Sequence, residues 1–129
     1  MTGAVVLSAC GGEDDPKPVS GPAKDVAATV SLLERATAKR DFQTICDRVF
    51  TRTAREQAGG SDCAALLKRT AGDVRRPRIE IKSIRVKGEN AVVAVDTTAA
   101  GQKRVPETIE LVRKGRQWRV SALADRSKD

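Results

Sequence analysis

The sequence predicts an α+β domain: three N-terminal helices packed on a curved four-stranded antiparallel sheet. Two observations predict it. Between Ala23 and Gly72 the apolar residues recur at helical spacing, and after Pro77 they alternate with a period of two. Glycine-bearing turns at 87–90, 100–102 and 114–116 then divide the alternating half into segments of hairpin length. The chain has no internal sequence repeat, and its 129 residues suit one domain with a real core.

Each element follows from its own pattern. Val26, Val30, Leu33 and Thr37 form the apolar stripe of the first helix, with Lys24, Glu34, Arg35 and Lys39 on other faces. Asp41 reads as the N-cap of a second helix whose stripe is Phe42, Ile45, Cys46, Val49 and Phe50. Gly59-Gly60 ends it, and Ser61 caps a third helix carrying Cys63, Leu66 and Leu67 and ending near Gly72. In the first strand Ile79 and Ile81 share one parity while Ile84 and Val86 take the other, so a bulge is expected near Ser83. The β-branched run from Ala91 to Thr98, the segment Val105 to Arg113 and the segment Gln117 to Leu123 supply the remaining strands.

Ahead of the domain, residues 1–10 are apolar and end in Leu7-Ser8-Ala9-Cys10, which resembles a bacterial lipobox. The resemblance implies that Cys10 receives diacylglycerol and anchors the protein at the extracytoplasmic face of the cell membrane. A secretory signal has a basic segment and a longer apolar run, so residues 1–10 are expected to be the truncated end of such a signal. Residues 11–22 are rich in Gly, Pro and acidic residues, the composition of a flexible tether. The expected organisation is therefore signal 1–10, tether 11–22, domain 23–124 and polar tail 125–129. Export to an oxidising compartment favours a structural disulfide between Cys46 and Cys63, with two buried free thiols as the alternative.

The chain has one Trp, two Phe, and neither Tyr nor His. Without His there is no imidazole base and no His-assisted nucleophile. Two cysteines without His also lack the remaining ligands of a zinc site, so no metal is expected. Neither glycine pair, 11–12 or 59–60, sits in a phosphate-binding loop, and no cofactor is expected. Of the charged residues, 21 of 24 Lys+Arg and 12 of 17 Asp+Glu lie between Ala23 and Ala124, so that segment carries +9. Arg75, Arg76, Arg78, Lys82, Arg85 and Lys87 concentrate this charge into a candidate basic surface for an acidic protein or an envelope polyanion. Nucleic acid is disfavoured by the missing aromatic platforms and the expected location.

The segment Asp41-Phe42-Gln43-Thr44-Ile45-Cys46-Asp47, the second cysteine at Cys63 and the closing Gly115-Arg116-Gln117-Trp118-Arg119-Val120 carry a resemblance. They resemble small actinobacterial lipoproteins of the nuclear transport factor 2-like superfamily, over residues 23–124. That resemblance implies a cone, with a strongly bent sheet wrapped against the helices. It implies little about function, since such folds serve isomerases, hydratases, accessory domains and scaffolding subunits. It also implies sheet-to-sheet pairing, hence a homodimer as one expected state. Val93, Val95, Ile109, Leu111, Trp118 and Val120 are the candidate lining of a cavity for a small apolar ligand. Enzymatic relatives place an Asp base beside Tyr, His or a second acid inside the cone. Here Asp96 is the candidate base, following the apolar run 92–95. The expected function is a lipid-anchored binding or accessory domain without catalysis of its own; the alternatives are an acid–base enzyme of isomerase or hydratase type using Asp96, or an electrostatic binder of anionic envelope polymers.

Overall fold

A computed structural model describes residues 21–125 of the chain. The proposed lipidation site Cys10 and most of the tether lie outside the described residues, as do residues 126–129. Helix α1 (Pro22–Ala38) begins one residue before the expected domain boundary, with Pro22 in its first turn, where a missing N–H costs no helical bond. Its buried stripe is Val26, Val30, Leu33 and Ala36. Burying each Val or Leu contributes about 1.5–3 kcal/mol. Thr37 sits only half buried, and its hydroxyl donates back to Leu33 O at 2.7 Å.

The second expected helix is divided. Phe42–Thr44 forms a short turn (α2) that continues as a π-helix over Ile45–Val49. Phe50 then adopts an extended conformation and bridges in parallel to Val120, and Thr51 N–H donates to Val120 O at 2.9 Å. Thr51 restarts the helix as the N-cap of α3 (Arg52–Gln57), its hydroxyl accepting from Ala54 N–H at 3.0 Å. A 3-10 turn spans Gly60–Asp62 before α4 (Cys63–Ala71). Ser61 therefore lies inside that turn and caps nothing; Asp62 holds the N-cap position without a side-chain bond. A disulfide joins Cys46 to Cys63, tying the π-helix to the first residue of α4. Both cysteines are 1% exposed.

Four strands follow in sequence order, each antiparallel to the next: β1 (Arg78–Lys87), β2 (Asn90–Ala99), β3 (Gln102–Lys114) and β4 (Gln117–Asp125). The last strand runs to Asp125, one residue past the expected boundary. Gly88, Gly101 and Gly115 all have positive φ, the conformation that tight hairpin turns demand. The bulge expected near Ser83 is present as a register shift between Ile81 and Ser83. It restores parity, so Ile81 faces Val95 while Ile84 faces Val93. Two further shifts, at Thr97/Ala99 and Glu110/Leu111, add to the bend of the sheet.

The helices cover one face of this sheet. Ala91, Val93, Val95, Ile109, Leu111, Trp118 and Val120 from β2–β4 meet Val26, Val30, Ile45 and Val49 in a single core. Three polar ties fix the two layers. Thr29 donates its hydroxyl to Trp118 O at 2.9 Å. Glu34 Oε2 accepts from Ile79 N–H at 2.7 Å, satisfying a donor on the edge strand. Arg119 donates to the carbonyls of Asp47 and Phe50 at 2.9 and 3.2 Å, closing the end of the π-helix. Among the described residues, no helix is long and apolar enough to cross a membrane.

Candidate functional site

The layers part at one end of the sheet. There α1 ends, α4 leads into the 72–77 loop, and the turn of the β2–β3 hairpin meets that loop, Ala100 N–H donating to Arg75 O at 2.8 Å. The gap is a cavity of about 310 Å³, at the small end of the roughly 300–1,000 Å³ that ligand pockets span. The helical side contributes Leu33, Phe42, Ile45, Leu67 and Ala71. The loop contributes Val74 and Pro77, and the sheet contributes Ile79, Val105, Ile109 and Leu123.

Its polar members include three threonines, Thr37, Thr97 and Thr98. Thr37 and Thr97 both line it, yet their hydroxyls donate to Leu33 O at 2.7 Å and Val105 O at 3.2 Å. These two threonines thus have their polar atoms engaged by backbone. Arg78, Gln102 and Lys103 stand exposed at the rim. Glu107 is the one acid among the lining residues, half buried and opposite Val95 in the register. Leu123 reaches the same space from the edge strand β4 and is 49% exposed, an apolar side chain left open at the mouth.

This differs from the expected lining. Of the six residues assigned from sequence, only Ile109 faces the cavity. Val93, Val95, Leu111, Trp118 and Val120 are packed core, at most 4% exposed. They are the most apolar part of the sheet, and the helices cover that part completely. Asp96 is not in the cavity either. It alternates with Val95 and Thr97 on the other face, in register with Glu80 and Pro106. Arg104 reaches its carboxylate at 3.5 Å and that of Glu80 at 4.0 Å. The parity of Val105, Glu107, Ile109 and Leu111 on one strand was the signal that places an acid inside.

The expected basic surface is distributed in a similar way. Arg78, Lys82, Arg85 and Lys87 are strung along β1, over about 30 Å of extended chain. Lys82 lies 3.9 Å from Glu80. Arg75 and Arg76 instead line a separate cleft of about 530 Å³ together with Ala38, Lys39, Arg40 and Val74. Lys39 and Arg40 were not part of the expected surface. Val74 borders both this cleft and the apolar cavity. Among the described residues, no group of three or more His, Cys, Asp or Glu is placed to hold a metal ion.

Solved structures share this architecture. An NTF-2 like protein of unknown function from Silicibacter pomeroyi DSS-3 matches with a TM-score of 0.63 at 19% identity, over 81% of this chain and 93% of that one. Its counterpart from Shewanella oneidensis MR-1 matches with a TM-score of 0.65 at 15% identity, over 81% and 98%. A third, from Shewanella baltica OS155, gives 0.55 at 16% identity, over 81% and 94%. The chain therefore has the NTF2-like α+β fold, as the segments at 41–47 and 115–120 led us to expect. At these identities the likeness is one of fold. No protein-family model matches the chain, and no curated protein matches its sequence.

Proposed function

We propose that this domain is a non-catalytic binding module that holds a small apolar molecule in the cavity beneath the β2–β3 hairpin. The observation that carries the reading is the lining itself: aliphatic and aromatic carbons from helices, loop and sheet alike, with the Thr37 and Thr97 hydroxyls already bonded to backbone. Such a surface gains by excluding water and offers a ligand few directional contacts. The Leu7-Ser8-Ala9-Cys10 segment supports a diacylglyceryl anchor, and the composition of residues 11–20 supports a tether to it. On this reading the module stands at the extracytoplasmic face of a cell membrane.

The test uses the full chain and a neutral probe, indole. Thermal midpoints and the methyl resonances of Leu67, Ile109 and Leu123 are followed as indole is added. We expect a saturable rise in midpoint and shifts confined to those methyls, both lost in Ala71→Phe, whose ring fills the space. Val105→Phe provides a second filled cavity should the helical variant fold poorly. Absence of any saturable response in the wild type would overturn the reading. An acid–base enzyme is the competing reading, and the acid available to it in the cavity is Glu107 rather than Asp96. A turnover that Glu107→Gln abolishes while indole still binds would establish that alternative instead.

A further inference from the structure

We propose that the cleft formed by Lys39, Arg40, Arg75 and Arg76 is a binding site for the anionic phosphate group of a ligand. These four cations come from two segments, the end of α1 and the loop before β1, and converge on one space of about 530 Å³. Among the described residues, no acidic residue lines it. Of the nearest carboxylates in sequence, Asp41 accepts from the Thr44 N–H and hydroxyl, at 3.3 and 2.7 Å, and attracts Lys39 from outside the lining. Asp73 is exposed and outside the lining. Like charges gathered this way repel one another unless an anion lies between them.

The backbone gives an independent reason. Among the described residues, the non-glycine positions with positive φ are Arg40 at 58° and Arg76 at 50°. Both are arginines, and both line this cleft. Arg40 closes α1: Asp41 N–H donates to Ala36 O at 2.8 Å, and Arg40 N–H donates to Thr37 O at 3.1 Å. That motif places a left-handed residue where glycine is the usual occupant. Arg76 precedes Pro77, a position already restricted by the proline ring. Strained residues persist where the strain serves a site. The partial negative charge at the end of α1 accounts for a cation at Lys39 or Arg40, but not for Arg75 and Arg76, which come from a different segment. Guanidinium groups match phosphate oxygens two at a time, which selects phosphate over a lone carboxylate.

The source of the phosphate is either a soluble molecule or a phospholipid head group, and two arms of one experiment separate them. Full-length protein is titrated with inorganic pyrophosphate by calorimetry, and separately sedimented with phosphatidylglycerol or phosphatidylcholine vesicles. Arg40→Gly and Arg76→Gly are compared with Arg69→Gln, which removes an exposed charge on α4 outside the cleft's lining. We expect each glycine variant to lose about tenfold or more in affinity, with Arg69→Gln close to wild type. Because glycine suits the left-handed conformation, the midpoint of Arg40→Gly without anion should hold or rise. Pyrophosphate binding identifies a soluble ligand. Binding to phosphatidylglycerol vesicles alone identifies a head group. Equal losses in all three variants, or no saturable binding in either arm, would overturn the proposal.

Discussion

Asp41 shows how much one carboxylate contributes at the residue scale. The Thr44 hydroxyl and then the Thr44 N–H favour its charged form, and Lys39 and Arg48 add attraction, so it ionises below the ordinary carboxylate range. A carboxyl depressed in the folded state stabilises the fold above its unfolded pKa. That contribution is lost as the pH falls through the folded value. Asp41→Ala should therefore be less stable than wild type at neutral pH, and the gap should narrow on acidification below the usual carboxylate range. Urea midpoints across that range measure it; a gap independent of pH would show that the charge is irrelevant. The cap at Asp41 was legible because Asp before an apolar stripe has one main use. Asp96 misled for an equally local reason. Its neighbours 92–95 are apolar, but only Val93 and Val95 face inward, and Asp96 has the parity of exposed Val92. Glu107 has the parity of Ile109 and Leu111, so strict alternation would have found it.

At the scale of elements, the disulfide is the strongest single constraint on the helical layer. The π-helix, α3 and the 3-10 turn are short, and pieces of this length do not hold their conformation alone. Cys46 and Cys63 close a loop with a sequence separation of 17 around them. In the chain-entropy account such a crosslink contributes about 3 kcal/mol. Replacing both cysteines with alanine should lower unfolding free energy by about that amount in urea, with little change in far-ultraviolet dichroism. A cost under about 1 kcal/mol would mean that packing alone positions these pieces. The sheet was legible almost in full, bulge included, because parity within a strand is a local property. The divided second helix was not. Phe42 to Phe50 carries a good helical stripe, and what breaks it is a partner about 70 residues away, the Val120 carbonyl that takes the Thr51 N–H. The cavity was hidden for a related reason: its lining is gathered from helices, strand ends and the loop at 72–77, segments far apart in sequence.

Across the whole molecule, charge and geometry divide between two ends of α1. The chain enters at Pro22, and the basic cleft lies past Ala38 at the far end of a helix of 17 residues, or about 25 Å away. From Cys10 to Gly21 the chain can extend to at most about 40 Å. A lipid at Cys10 would therefore leave the domain free to present either end to the membrane surface. The +9 of residues 23–124 would itself draw the protein toward anionic lipid. Anchoring and electrostatic adsorption consequently predict the same location, and salt separates them. Two buried acyl chains hold a protein with little regard to ionic strength, whereas surface attraction is screened. Expressed from its native locus, the wild type should incorporate labelled palmitate and stay with the membrane fraction through a high-salt wash. Cys10→Ser should take up no label and should be released by that wash. Globomycin, which blocks the lipoprotein signal peptidase, should make an unprocessed precursor accumulate. A wild type that carries no label, or that salt removes as readily as Cys10→Ser, would leave the basic surface as the means of attachment and remove the anchor from the proposal.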